Sequence, residues 1–152
     1  MSPGRINERI ILDRLSWIDR MIDEIRSLPI ADYDEFSADT RNIWSAESRL
    51  RRALEALFDI GRHILAKGFA IGATEYKQTA EDLARNDVLG TEEMNLLRMM
   101  GGYRNRLVHF YHEVSTRELY QICRENLDDV IEVRNGITSW MSANPDMIDT
   151  EL

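Results

Sequence analysis

Leu50-Arg51-Arg52-Ala53-Leu54-Glu55-Ala56-Leu57-Phe58-Asp59-Ile60-Gly61-Arg62-His63-Ile64 is the stretch that decides the fold class. Leu50, Leu54, Leu57, Gly61 and Ile64 recur at steps of three and four, the period of one face of an α-helix. The spacing predicts a helix over residues 41–67, with Gly68 as its C-cap. Upstream, Ile11, Leu15, Ile18, Ile22 and Ile25 carry the same period, and Pro29 ends a first helix over 6–28. A loop through Asp32, Tyr33 and Asp34 joins the two. The three prolines are Pro3, Pro29 and Pro145, so the long span between the last two is clear of the residue that most disrupts helix interiors.

Downstream, residues 68–74 are glycine-containing but lack phosphate-loop spacing and read as a turn. A short helix follows over 75–85, and Asn86-Asp87-Val88-Leu89-Gly90 breaks it. Thr91 is expected to cap the next helix, whose first turn holds Glu92 and Glu93, where carboxylates suit the helix dipole. That helix carries Met94, Leu97, Met100 and Gly101 and runs toward Tyr111. Ser115-Thr116-Arg117-Glu118 has the capping-box pattern. It opens one last long helix with Leu119, Cys123, Leu127, Val130, Ile137 and Met141. Residues 144–152 read as a frayed acidic tail. No useful segment has strand periodicity. The expectation is an all-α fold, an up-and-down bundle of four main helices plus a short one, in a single domain over 1–152.

Composition narrows the function classes. The chain of 152 residues is 43% hydrophobic and 30% charged, the balance of a globular domain. No apolar run has membrane-spanning length, and the first residues lack the apolar core of a signal peptide, which fits a cytoplasmic protein. Cys123 is the single cysteine, so no internal disulfide forms, and its helical surroundings read as core. A net charge of −8 argues against whole-surface binding to nucleic acid but permits a local basic cleft.

Chemistry concentrates in one segment. On a helix, Asn105, His109 and His112 fall at steps of four and three and share a face, while Arg104, Val108 and Tyr111 form the neighbouring stripe. Arg104 also continues the apolar line from Leu97 and Gly101, so its cation needs a partner or a cleft. Imidazole moves protons near neutral pH, and guanidinium clamps phosphate oxygens through parallel hydrogen bonds. Together they suit phosphodiester cleavage without a metal. Two imidazoles and arginines at a helix end equally serve as caps for the C-terminal carbonyls. His109 and His112 have no converging carboxylate or thiolate, so neither metal nor other cofactor is expected. Elsewhere His63 stands alone, Asp128-Asp129 and Glu81-Asp82 are adjacent pairs that diverge on a helix, and Arg49, Arg51 and Arg52 spread around theirs. Tyr103, Phe110 and Tyr111 could stack on bases, though such spacing is usual for core aromatics.

Arg104-Asn105-Arg106-Leu107-Val108-His109-Phe110-Tyr111, flanked by Glu113-Val114, resembles the R-x4-H-x-Y motif of the HepT toxins, a branch of the HEPN ribonuclease superfamily. The resemblance implies a HEPN-like helical homodimer in which two copies of the motif face one cleft. It implies a metal-independent endoribonuclease toxin of a type VII pair. The partner is a nucleotidyltransferase antitoxin that moves AMP from ATP onto the motif tyrosine, here Tyr111. On that reading Arg104 and His109 are catalytic, Asn105 and His112 support them, and Arg106 contacts an RNA substrate, either tRNA or mRNA. Two other readings stay open at this point. One is a non-catalytic HEPN module that binds a nucleotide or a partner as accessory to a nucleotidyltransferase. The other is a helical adaptor in which Arg104 is an ion-pair partner.

Overall fold

The computed structural model describes residues 6–109 and 113–151. Among the described residues the fold is α-helical apart from one pair of two-residue strands. The expected bundle of four main helices plus a short one is corrected: the described residues form seven α-helices. They are α1 (Glu8–Arg26), α2 (Tyr33–Ala38), α3 (Thr40–Phe69), α4 (Tyr76–Arg85), α5 (Thr91–His109), α6 (Thr116–Glu125) and α7 (Leu127–Ala143).

Two local decisions account for the difference. The loop expected around Asp32 is a short helix, because Asp32 accepts hydrogen bonds from the backbone N–H groups of Asp34 and Glu35 and so caps α2. Phe36 then anchors that turn in the core with no exposed surface. The expected last helix is two helices. Asn126 leaves helical geometry, its backbone N–H donates to the Ile122 carbonyl, and its side chain donates to Asp129 at 2.9 Å in the first turn of α7. Apolar spacing runs through the break because Cys123, Leu127 and Val130 are buried on both sides of it.

The long helix α3 is the centre of the fold. It packs against α1, α2, α4, α5 and α6. Leu50, Leu54, Leu57, Phe58, Ile60, Ile64 and Leu65 are each at most 1% exposed. Burying side chains of this size gains about 1.5–3 kcal/mol each, which offsets the entropy of ordering so long an element. The expected C-cap is also corrected. Gly68 lies inside α3, where a Cβ would sit 2.9 Å from Ile6 Cδ1, and Ala70 takes the left-handed capping position with φ of 56°. Glycine is therefore needed at 68 for close approach, not for a turn.

The first and last described segments meet over that glycine. β1 (Ile6–Asn7) and β2 (Ile148–Asp149) pair in parallel, with Ile6 opposite Ile148, and a short 3-10 turn (Pro145–Met147) leads into β2. The segment expected as a frayed tail thus carries a backbone ladder, and Ile6 is fully buried beneath it. Among the described residues no helix is long and apolar enough to cross a membrane.

His63 has a place in this junction. Asn7 caps α1 by accepting from the Ile10 N–H, and its own N–H donates to His63 Nε2 on α3 at 2.9 Å. Only an unprotonated Nε2 accepts that bond. Burial first, then the charges of Lys67 and Arg14, hold the imidazole's pKa below its ordinary value. The unfolded chain therefore takes up this proton more readily than the folded one, and stability falls as pH drops from the ordinary histidine value of about 6.5 toward the lower folded value. The melting midpoint should decline as pH falls below the ordinary histidine value of about 6.5. His63→Gln keeps an acceptor that does not titrate and should flatten that part of the profile; an unchanged slope in thermal melts would show that His63 is not the source.

Candidate active site

The motif occupies the C-terminal half of α5, and three features place it. The helix starts on Gly90, whose N–H donates to the Glu93 carboxylate at 3.0 Å and whose carbonyl accepts from Met94. The cap is thus Gly90 with Glu93 reaching back, and the expected cap Thr91 is the first helical residue. Next, Gly101 is buried where α4 crosses α5. A Cβ there would stand 2.7 Å from Tyr76 Cβ and 3.3 Å from Phe58 Cζ. Its missing side chain lets Tyr76 lie against α5, edge-on to Phe58 with centroids 4.4 Å apart. Finally, Tyr103 packs toward Leu50, Leu54, Met100 and Ile122, and burial raises its pKa, so it serves the core and leaves base stacking to others.

Arg104 turns inward and finds the partner its position requires. Its Nε and Nη2 both donate to Glu55 Oε1 on α3, at 3.2 and 3.1 Å. Its guanidinium lies 5.0 Å from the centre of the Tyr76 ring, in cation–π range. The side chain is only 18% exposed. Glu55 also sits 3.6 Å from Arg51 one turn earlier, and Arg62 stands 4.8 Å from the same Tyr76 ring. One carboxylate and one aromatic ring thus hold three guanidinium groups in a fixed lattice behind the motif. These contacts engage the guanidinium itself, through Nε and Nη2, and fix its orientation.

Asn105 and His109, one turn apart on the outer face of α5, are exposed. The structure therefore brings Arg104, Asn105 and His109 onto one helix end, with the cation set deeper. Tyr111 and His112 lie outside the described residues, as does Phe110. Arg106, the expected RNA contact, points elsewhere. It grips Glu118 of α6 in a two-pronged pair at 2.8 and 2.6 Å and donates to the Glu113 carbonyl at 3.0 Å. That pair holds the Glu118 carboxyl below the usual range and raises the Arg106 guanidinium. Ser115 caps α6 by accepting from the Glu118 N–H, as the capping-box pattern anticipates. Arg106 thus ties the end of α5 to the start of α6 and spans the segment that holds the motif's last residues. Cys123 is buried, and burial pushes its thiol up to about 12, so it is an inert core residue.

Glu55 and Tyr76 were not singled out from sequence. The Arg51–Glu55 spacing of four is visible there, but nothing local joins Glu55 to an arginine 49 residues away. Gly101 carried the one available signal, a glycine in the line of apolar residues where a neighbour must approach closely.

The C-terminal half of α5 thus carries a guanidinium, an amide and an imidazole within six residues, group types that suit moving a proton and stabilising charge on a phosphodiester. Residues 18–137 match the family model of HepT-like ribonucleases, and the chain belongs to that family. It is similar to the tRNA nuclease HepT of Aphanizomenon flos-aquae (strain 2012/KM1/D3), with 25% identity over 111 residues, 73% of this chain and 76% of that protein. Its fold is similar to that of the tri-AMPylated Shewanella oneidensis HEPN toxin, solved in complex with its MNT antitoxin. There the TM-score is 0.77 at 25% identity, covering 86% of this chain and 97% of that one. The cytosolic protein of unknown function YutE from Bacillus subtilis shares the fold with a TM-score of 0.80 at 17% identity, covering 98% and 99% of the two chains.

The glycine pair at 101–102 allows a sharp test of this architecture. Gly101→Ala forces a Cβ against Tyr76 close to that residue's own backbone, so the α4–α5 contact must open. A loss of about 1–3 kcal/mol is expected, a fall of several degrees in melting midpoint. Gly102→Ala places its Cβ in open space and should be neutral or stabilising by up to ~1 kcal/mol through helix propensity. Equal effects in calorimetry would contradict the packing described for Gly101.

Proposed function

We propose that this chain is a metal-independent endoribonuclease toxin of a HepT/MntA-like pair, neutralised by AMP transfer to its motif tyrosine. The observation that carries the reading is Arg104 anchored by Glu55 on the same helix as the exposed Asn105 and His109, in a chain of the HepT-like ribonuclease family. The chemistry follows from those groups. The ribose 2′-hydroxyl attacks the adjacent phosphorus, and its proton passes to a base, a role that fits His109. Arg104 balances the charge that builds on the non-bridging oxygens in the phosphorane-like transition state. Asn105 orients the imidazole or holds a phosphate oxygen, and His112 supports the pair. The 5′-oxygen leaves with a proton, giving a 2′,3′-cyclic phosphate and a 5′-hydroxyl. Arg106 reaches RNA only by releasing Glu118, so its main part is to hold the motif's end in place. The substrate is tRNA or mRNA, with the curated relative's name favouring tRNA. The protein works in the cytoplasm as a homodimer whose two motifs share a cleft, which concentrates cations that one acidic chain does not.

The control step is a group transfer. The Tyr111 phenol oxygen attacks the α-phosphorus of ATP on the nucleotidyltransferase antitoxin, pyrophosphate leaves, and the phenol proton passes to solvent or a base. The AMP then brings a negative charge and a nucleoside's bulk to the mouth of the site. The AMP-modified relative supports this reading.

Purified protein should cut RNA in the presence of EDTA, and His109→Ala should abolish cleavage while melting as the wild type does. A fully active His109→Ala variant overturns the mechanism, and a wild type that binds but never cuts favours the accessory-module reading. Because Arg104 also pairs with Glu55, Arg104→Ala should cost about 1 kcal/mol of stability along with activity. Arg104→Lys keeps the charge without the planar fork and should still lose about 10²-fold in kcat.

Incubation with the cognate nucleotidyltransferase and ATP should add one AMP mass to the peptide containing Tyr111 and silence the nuclease. Tyr111→Phe should escape both. An adduct on Tyr103 or Tyr120 in peptide mass spectrometry would refute this account of control and leave the nuclease assignment standing.

A further inference from the structure

The chain commits most of its guanidinium groups to its own carboxylates. Arg14, Arg20, Arg26, Arg41, Arg49 and Arg134 each stand within hydrogen-bond reach of an aspartate or glutamate. Two cations beside the candidate active site break that habit. Lys77 on α4 and Arg98 on α5 are both exposed, and neither has a carboxylate within 4.0 Å among the described residues.

They line one open groove along the α4–α5 seam, together with Tyr76, Asn95, Met99 and Asn105. The groove therefore begins beside Arg98 and ends on a residue of the motif itself. Arg98 and Asn105 are seven residues apart on one helix, two turns, or roughly 10 Å along the axis. Between them the helix surface is bare: Gly102 is exposed, and a Cβ on it would meet nothing within 4 Å. A sugar–phosphate chain can approach the backbone there without a side chain in its way. Two amides, Asn95 and Asn105, supply hydrogen-bond donors along the floor. Met99, 40% exposed, offers a polarisable apolar surface for a base. Around Tyr76, Arg104 and Arg62 reach the same seam but are met by Glu55 and Asp59, so among the described residues the unpaired charge of the groove is that of Lys77 and Arg98. In a protein of net charge −8 this is a local reversal of sign, of the kind that concentrates a polyanion at one place on an otherwise repelling surface.

We infer that the α4–α5 groove is a substrate subsite that binds the phosphodiester backbone of the RNA strand flanking the cleaved bond, with Lys77 and Arg98 as its phosphate contacts. The inference rests on the ribonuclease reading above and adds to it the path of the strand. Lys77 and Arg98 take no part in bond breaking. They hold the substrate's continuation so that the scissile phosphate settles at Arg104 and His109. The enzyme consequently favours strands long enough to reach the groove over minimal substrates.

The test uses the full chain with Lys77→Gln and Arg98→Gln combined, in two backgrounds. In the His109→Ala background, fluorescence anisotropy with labelled single-stranded RNA gives the Kd across a salt series. The double variant should bind about 10-fold or more weakly. Its slope of log affinity against log salt should shrink by roughly 1.4, the value for two lost phosphate contacts on a single strand. In the active background, KM for RNA should rise by a similar factor while kcat at saturation stays within about twofold, because groups that bind ground state and transition state alike leave kcat unaffected. Light scattering and thermal melts accompany both. An unchanged Kd and salt slope overturns the proposal. So does a fall in kcat at unchanged KM. A double variant that loses its dimer also overturns it, since the groove would then be a protein interface. If the wild-type chain neither binds nor cuts RNA, the ribonuclease reading fails first. A wild type that cuts normally beside a variant of unaltered affinity removes the groove alone.

Discussion

Burial of α3 on several sides at once is the constraint on which the rest of the structure depends. A helix with one apolar stripe can lie on a surface, but one whose Ala46, Leu50, Leu54, Leu57, Phe58, Ile60 and Ile64 are all buried must be enclosed. The enclosing elements are α1, α2, α4, α5 and α6. Several contacts that shape the site start from this helix, because polar residues left on α3 reach its neighbours. Glu55 meets Arg104, Arg62 meets Tyr76, His63 meets Asn7 and Arg49 meets Glu24. The apolar face sets where α5 lies, and the polar residues then fix which way its side chains turn.

Close packing at small residues gives that enclosure its accuracy. Gly61 accepts Leu83 and Thr79 of α4, Gly68 accepts Ile6, and Gly101 accepts Tyr76. Each removes a side chain where two elements would otherwise stand farther apart. The consequence for chemistry is specific. With α4 drawn onto α5, the Tyr76 ring lies within reach of Arg104, and a cation that would be costly in a half-buried place is met by a ring and a carboxylate together. Stability and site geometry therefore share the same contacts. A change at Gly101 alters both, while a Cβ at the exposed Gly102 meets no neighbouring atom and leaves the helix packing as it is.

The acidic composition and the proposed polyanion substrate are reconciled by where the pairing is complete. Arg106 with Glu118 and Arg134 with Asp19 are two-pronged pairs, so these arginines contribute structure and little field. Along the α4–α5 seam the pairing lapses, and Arg104 shares its single carboxylate with Arg51. Net charge describes the sum over the surface, whereas binding responds to the few groups within a Debye length of the ligand, about 8–10 Å at ordinary ionic strength. An acidic ribonuclease is consistent once the cations are counted by location.

Periodicity in the chain was enough to read the helical class, the positions of α1, α3, α4 and α5, and the capping box at Ser115. These depend on neighbours three and four residues apart, which the linear order already contains. The motif from Arg104 to Tyr111 was legible for the same reason, and so was the need of Arg104 for a partner. The identity of that partner was not legible, because Glu55 and Arg104 are brought together only when α3 and α5 pack. The same holds for Arg106, whose engagement with Glu118 depends on the chain reversing between α5 and α6, and for Lys77 and Arg98, which line one groove only after α4 folds back. Short polar decisions were hidden too: Asp32 capping α2 and Asn126 dividing α6 from α7 each turn on one polar side chain and its hydrogen bonds. Sequence by itself determined the helical class and where guanidinium, amide and imidazole groups concentrate along the chain, since residue type and helical period are local properties. Tertiary structure alone decided which of their charges are neutralised and which face solvent, since electrostatic partners are chosen by distance in space and not along the chain.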